Sequence, residues 1–574
     1  MGSSEFSRAN ELLRHGRLEE AVAAYQSAIA ENPTFHIAYH NLGEALEKLE
    51  EWEEAVCAYR QALHFNPEAV YSQFNLERIL RQLGREEEIV KVREKKVEVD
   101  GVPPNFLNVS VLKLGDRTLR EQRFGVAMAL YFQALKATPG SSNNIASKLA
   151  TVREKYWEAR QNSELKRVAV CGWELAHNPA GRVYTLAQLY QTFAWVEIIG
   201  SIFPKYGKAL WEPIRNTTIP VHSFVVEDES RFLEQAEQLV AAHPYDIVHL
   251  SKPRSPNIFF GILYKFIWGA TVFVDIDDEE LAFVGCDTSI SLEDYLQQYG
   301  RLPKLSNLSG PEWTRLAVGL VHEFDGITVS NPALQKRYGG EIIRHARDEK
   351  LYNPSPELKR RSREALGIDP DKKVVLFFGT PRKHKGLLEV ADAIASLQRD
   401  DVVFAIVGDF PDPELKAQLL EKQGVNYFFL GNQPFDRIPE IVAIGDCCVL
   451  LQDRSSPVSQ FQVPAKLSDA LGMGLVILVN YVPSLGDLIK SEAVFAIEQS
   501  NLKQELSKCF HEGDVVQKKF NLVRSIFHDK FSKKSNSIRL KQLDRQKNNW
   551  HLANNLKRTL FLLFLGGIPI SYFY

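Results

Sequence analysis

Between residue 167 and about residue 500, short apolar runs alternate with amphipathic helical stretches, and no other feature restricts the fold of this chain as tightly. The runs at 167–172, 195–200, 245–250, 271–277, 373–379, 403–409, 427–431 and 444–451 are rich in Val, Ile and Phe. They lack polar alternation, as strands covered by helices on both faces do. The pattern predicts parallel sheets wound with helices. Ligand sites in such sheets lie beyond the carboxyl ends of the strands. A chain of 574 residues is too long for one core. The strand series predicts two α/β halves, at 164–355 and 356–510.

Upstream of the first strand the chain repeats itself with a period of 34. Within 36–69, aromatic, small and helix-ending residues fall at Tyr39, Leu42, Gly43, Leu46, Ala55, Tyr59, Ala62 and Pro67. Thirty-four residues earlier stand Ala9, Leu12, Ala21, Tyr25, Ala28 and Pro33. A third copy from about 70 keeps Leu76 and Leu80 and then degenerates. A later copy restores Leu114, Gly115, Ala127, Tyr131, Ala134 and Pro139, after the loop-like Val102, Pro103, Pro104 and Asn105. The spacing resembles tetratricopeptide repeats over 1–140, with a helical linker at 141–163. Stacked helix pairs form a concave surface. The expected use is a protein partner or self-association, and packing against the rest of the chain is the alternative.

Composition removes several function classes. A net charge of −3 argues against a dedicated nucleic-acid binder. The six cysteines, at 57, 171, 286, 447, 448 and 509, have no metal or disulfide spacing, which fits a reducing compartment. The first residues, Met-Gly-Ser-Ser-Glu-Phe, carry no basic-plus-apolar signal, so a cytoplasmic protein is expected.

Residues 462–477 read Gln-Val-Pro-Ala-Lys-Leu-Ser-Asp-Ala-Leu-Gly-Met-Gly-Leu-Val-Ile. Lys466 and Asp469 fall on one face at the start of a helix. Helix amides and a positive dipole end attract phosphate there. A cation with amides for a diphosphate, and a carboxylate for sugar hydroxyls, describe a nucleotide-sugar site. The segment resembles the Pro-x-Lys-x-x-Glu signature of GT-B glycosyltransferases of the group 1 family, with Asp469 in place of the family's Glu.

The resemblance extends over roughly 165–500. In the second half, Gly379 and Gly386 keep the spacing of the family's phosphate loop, and Lys385 falls on its lysine. The family arginine position is Thr380 here, and Arg382 follows two residues later. The resemblance places the nucleotide base near Gly431. In the first half, Gly181 opens a helix where the family has a glycine-rich loop, and Arg182 beside it could meet phosphate. The segment 246–249 resembles a family strand that ends in a histidine at the cleft. His249 there could orient a sugar hydroxyl or shuttle a proton, and a histidine satisfied within the fold is the alternative. Asp275, Asp277 and Asp278 follow an apolar strand, and a metal-binding Asp-x-Asp is weighed against a cleft-lining or structural role, which is preferred. Many relatives place a glutamate eight residues before the second acid, and this chain has Phe461 between Gln460 and Gln462.

From 503 to 558 there are 14 Lys/Arg and 5 Asp/Glu, before an apolar end at 559–574. The expected tail, 511–574, either touches an anionic membrane surface or packs back on the first half. The whole reading is an α-helical repeat array followed by a GT-B fold. It would transfer sugar from a nucleoside-diphosphate sugar to a sugar, lipid or protein acceptor, with retention, without metal and without a further cofactor. The resemblance implies catalytic roles for His249, Arg382 and Lys385. It implies donor binding by Gly181, Gly379, Lys385, Gly431, Lys466 and Asp469. The alternative is a decayed body serving as a tetratricopeptide adaptor.

Overall fold

The structure, a computed structural model, describes residues 4–94, 106–137, 142–510, 514–543 and 553–564. The chain forms two compact units. One takes in Met1–Glu164 with Glu237–Pro244 and Phe561–Tyr574, the other Leu165–Ala236 with Tyr245–Leu560.

The first unit is built of helix pairs: Ser4–Arg14 with Leu18–Glu31, His36–Lys48 with Trp52–Phe65, Val70–Gln82 with Glu86–Arg93, and Phe106–Arg120 with Phe124–Ala137. The repeat spacing has a steric cause. A side chain on Gly43 would begin 2.7 Å from the Tyr59 ring, and one on Gly115 would begin 2.5 Å from Tyr131. At both positions the tyrosine ring leaves no room for a side chain, so the facing residue is Gly; in the first copy the equivalent pair is Ala9 and Tyr25. The same two positions in the third copy are Glu77 and Arg93, which form an ion pair at 3.1 Å. The copy degenerates because packing has been replaced by charge. Pro139 and Val102 to Asn105 lie outside the described residues.

The second unit contains two all-parallel sheets. In the first, β1 (Arg167–Gly172), β2 (Trp195–Ile202), β3 (Val221–Val225), β4 (Ile247–Ser251), β5 (Thr271–Ile276), β6 (Gly326–Val329) and β7 (Glu341–Ile342) run in the order β3-β2-β1-β4-β5-β6-β7. The second has β8 (Lys373–Phe378), β9 (Val402–Val407), β10 (Asn426–Leu430), β11 (Cys447–Leu450), β12 (Val476–Val479) and β13 (Phe495–Ala496), ordered β10-β9-β8-β11-β12-β13. In both, the order reverses beside the first strand, at β1/β4 and at β8/β11, which opens a crevice at the carboxyl ends. Two Rossmann-like halves of this kind make the GT-B fold.

The basic tail is not an appendage up to residue 543. Phe527 and Phe531 are fully buried in the core of the second half. Leu540 is buried in the core of the first, and Ser537 Oγ donates to the Leu189 carbonyl at 3.1 Å. The two segments that cross between the halves bond to each other: Arg347 N donates to Phe531 O at 2.9 Å, and Lys533 N to Arg347 O at 2.8 Å. Leu556 and Leu560 are also buried. The last ten residues of the apolar end, 565–574, lie outside the described residues. Among the described residues no helix is long and apolar enough to cross a membrane.

Candidate active site

The carboxyl end of β8 runs into Gly379, whose φ of 102° suits glycine. The next strand end packs directly on it: a side chain on Gly408 would begin 2.4 Å from the Gly379 carbonyl oxygen. Glycine at both positions lets the loop 380–386 fold low over the sheet. Gly386 closes the loop in the left-handed conformation, φ 70°, and starts the helix Leu387–Leu397. The loop carries Arg382, Lys383, His384 and Lys385. Burial depresses the Lys385 ammonium below its ordinary range, and Arg382 beside it adds to the effect.

Lys466 reaches the same place from the helix Ala465–Gly472. Its Nζ donates to the Phe378 carbonyl at 3.2 Å and lies 4.1 Å from the centre of the Phe377 ring. Burial, with Lys385 nearby, brings its pKa down to about 8. His384 is also lowered, by burial and then by Lys385 and Arg382. Among the described residues none of Arg382, Lys385 and Lys466 forms an ion pair. Three cations meet at a strand end, and no carboxylate among the described residues pairs with them. Such an arrangement is unfavourable by itself and favourable once a polyanion occupies it.

The facing end of the first half holds the opposite charge. Lys252, at φ 75°, places Nζ 2.7 Å from Asp277, 2.7 Å from Asp278 and 3.2 Å from Glu280. Arg254 also pairs with Glu280. The three carboxylates are close enough together to hold a metal ion, and the lysine ammonium stands among them. Burial lifts the Asp277 carboxyl to about 7 despite Lys252, with Asp278 adding to the rise. His345 lies among Arg182, Arg347, Asp278 and Asp275, and burial holds it neutral with a pKa of about 3.

The halves are joined across the crevice by polar contacts. Gln462 Nε2 donates to Asp278 Oδ1 at 3.1 Å, and Asn331 Nδ2 to the Phe461 carbonyl at 2.7 Å. Arg347 forms a two-pronged pair with Asp469 at 2.5 and 3.1 Å, and the Tyr352 hydroxyl donates to the same carboxylate.

Residues 359–510 match the family model of glycosyl transferases group 1, and residues 6–88 match that of the tetratricopeptide repeat. The chain is 28% identical over 132 residues to WcaI of Escherichia coli (strain K12), named as a glycosyl transferase of colanic acid biosynthesis. That match takes in 22% of this chain and 32% of the relative, so the chain spans about a third of the length of the relative it matches. Solved structures that resemble it do so at low identity. Alr3699/HepE of Anabaena, crystallised with UDP and glucose, is 16% identical with a TM-score of 0.49, covering 66% of this chain and 98% of its own. A glycosyltransferase of Rickettsia africae is 13% identical with a TM-score of 0.49, covering 67% and 100%.

Within the matched residues 359–510 the structure brings together Gly379, Arg382, Lys385 and Lys466. Gly431 lies at the end of β10, two strands from β8, where a side chain would begin 3.0 Å from Asp409 Oδ1, and Asn432 N donates to that carboxylate at 3.2 Å. Other expected residues are already engaged. Asp469 sits on the same helix as Lys466, but Arg347 and Tyr352 occupy its carboxylate. Arg182 does not face a phosphate: it is buried and donates to Asp275 at 2.8 and 2.7 Å and to the carbonyls of Ile343 and Arg344. His249 is fully buried in mid-sheet, between Tyr190 at 3.1 Å and Thr328 at 2.9 Å, and burial drops its pKa to about 4. The structure therefore realises the satisfied-histidine alternative, because both ring nitrogens are used. Gly181 packs beneath Trp211, where a side chain would begin 3.2 Å from the ring. Sequence reading passed over Lys252 and Arg347, whose partners are set by the fold; only the charge-rich Ser-Lys-Pro-Arg after β4 hinted at the first.

Proposed function

We propose that the chain transfers a sugar from a nucleoside-diphosphate sugar to a hydroxyl-bearing acceptor. The observation that carries the reading is the trio Arg382, Lys385 and Lys466, unneutralised at the carboxyl end of β8. A diphosphate leaving group gains negative charge as the glycosidic bond breaks, and fixed cations in a water-poor crevice stabilise that charge. Lys385 and Lys466 serve as these cations, with Arg382 beside them. Gly379 and Gly431 let the donor approach the backbone. Asp469 reaches the donor ribose only if Arg347 yields one of its bonds. No metal is required in this scheme, since the lysines meet the phosphate charge and the Lys252 ammonium already stands among Asp277, Asp278 and Glu280.

The family resemblance supports transfer with retention, the departing phosphate taking the acceptor proton. The helical repeats supply a surface for a protein partner or a second copy, and the work is placed in the cytoplasm. A second reading, a silent body serving an adaptor, draws on one observation: the carboxylate expected for the ribose is already bonded to Arg347 and Tyr352. Calorimetric titration with UDP, GDP and ADP decides between them. The transferase reading expects one nucleotide to bind to the wild type and to lose about tenfold or more in affinity in Lys385→Ala. No binding of any nucleotide refutes it and leaves the adaptor.

A further inference from the structure

The connection from β5 to β6 runs from 277 to 325, far longer than an ordinary crossover in such a sheet, and unusually long connections tend to carry function. It folds into the helix Leu292–Tyr299, a loop, and the helix Pro311–Gly319. Between them lies a pocket of about 470 Å³, within the range of small-molecule sites.

The walls of this pocket differ from the crevice described above. Tyr299 is 45% exposed and lies against Tyr295, with ring centres 4.5 Å apart and planes 35° from parallel. Tyr295 is itself buried, so the outer ring rests on a fixed inner one. The floor is Trp313, buried, edge-on to Phe259 and donating its indole N–H to the Lys304 carbonyl at 3.0 Å. Asn307 is pressed over Gly310 so closely that no side chain would fit there. The loop is anchored where Leu308 N donates to Glu229 at 2.6 Å and Ser255 Oγ donates to the Leu308 carbonyl at 2.5 Å.

The charge at the pocket is one-sided. Its carboxylate, Glu312, lies close to Tyr295 and helps burial to raise that phenol. Arg301 and Lys304 line it too, and among the described residues neither forms an ion pair. An exposed aromatic face with amide and hydroxyl groups around it suits the apolar face and hydroxyl rim of a sugar ring. Two unpaired cations suit a carboxylate or phosphate on that ring. The pocket also connects to the crevice. Thr314, next to Trp313, accepts from Arg254 at 3.2 Å, Arg254 pairs with Glu280, Glu280 with Lys252, and Lys252 with Asp278, which Gln462 contacts.

We propose that the pocket bounded by Tyr295, Tyr299, Arg301, Lys304, Asn307 and Trp313 binds a saccharide bearing an anionic substituent. It is a subsite on the acceptor side, with Tyr299 as the stacking face and Arg301 and Lys304 as the anion contacts. Its assignment to the acceptor rests on the transferase reading; binding itself does not.

The test uses the full chain without any nucleotide. Hexuronate disaccharides of gluco and galacto configuration are titrated by calorimetry, each beside its methyl ester, which keeps the rings and removes the charge. One acid form is expected to bind, with its ester weaker by about tenfold. Tyr299→Ala should weaken acid and ester alike, by about three- to tenfold. Arg301→Ala should weaken the acid alone. Failure of every acid form to bind, equal binding of acid and ester, or affinity untouched by Tyr299→Ala overturns the proposal. Donor turnover does not enter this titration, so the pocket can fail while the transferase reading stands, and the reverse.

Discussion

Lys466→Met should make the nucleotide-free protein more stable while removing its activity. Among the described residues the Lys466 ammonium has no carboxylate partner, and burial lowers its pKa from the ordinary 10.5 to about 8. At about 1.4 kcal/mol per pH unit, that fall corresponds to roughly 3 kcal/mol of unfavourable free energy in the folded state. Water still reaches part of the group, so the expected gain from Met, of similar length and uncharged, is ~1–3 kcal/mol. A folded-state pKa below the unfolded one means that the unfolded chain binds the proton more tightly. Stability from this group therefore rises with pH between about 8 and 10.5, and the penalty is present in full below about 8. Urea unfolding of wild type and Lys466→Met at about pH 7 and pH 9.5 isolates the effect, because other titrating groups are common to both. The variant should be the more stable at the lower pH, and the gap should narrow at the higher. Its donor turnover should fall by about 10²- to 10³-fold. A variant less stable than wild type at the lower pH, or a gap independent of pH, refutes the claim that an uncompensated ammonium is stored at the end of β8.

Four further outcomes follow from the packing. Asp469→Asn should destabilise the fold by ~3–5 kcal/mol in urea unfolding, since Arg347 is left buried without its counter-charge. Lys252→Ala removes the ammonium between Asp277 and Asp278, and should raise the Asp277 carboxyl further and lift that of Asp278 from its depressed range. The loss of stability should then be largest above about pH 7 and recover as the acids protonate, as denaturation at a series of pH values would record. His249→Gln should lower stability by ~1–3 kcal/mol through its two broken hydrogen bonds and leave the donor KM unchanged in steady-state kinetics. Gly43→Val drives a side chain into the Tyr59 ring and should destabilise the repeats by ~1–3 kcal/mol, seen as faster proteolysis within residues 4–94.

The two sheets were legible because parallel strands buried on both faces leave unbroken apolar runs, and β1, β5, β8 and β9 read that way. The repeats were legible where Gly43 and Gly115 must be glycine, and illegible at Glu77 and Arg93, where an ion pair stands in. In the candidate site, Gly379, Lys385 and Lys466 could be found because each belongs to a short motif at a strand end or helix start. The roles of Arg182, His249 and Asp469 could not. Their partners Asp275, Thr328 and Arg347 lie 93, 79 and 122 residues away in sequence. Spacing fixes what a residue can do chemically, and only the fold fixes whether a neighbour has already engaged it. The saccharide pocket had no signal, since Tyr295, Tyr299, Arg301 and Lys304 make no motif without the two helices that assemble them.

Release of nucleotide from UDP-, GDP- and ADP-sugars by wild type and Lys466→Ala tests the central claim most directly, because donor hydrolysis needs no acceptor. The account predicts turnover of one donor by the wild type and its fall by about 10²-fold or more in the variant. Turnover that survives unchanged in Lys466→Ala would contradict the assignment of the cations at the end of β8 to the leaving diphosphate.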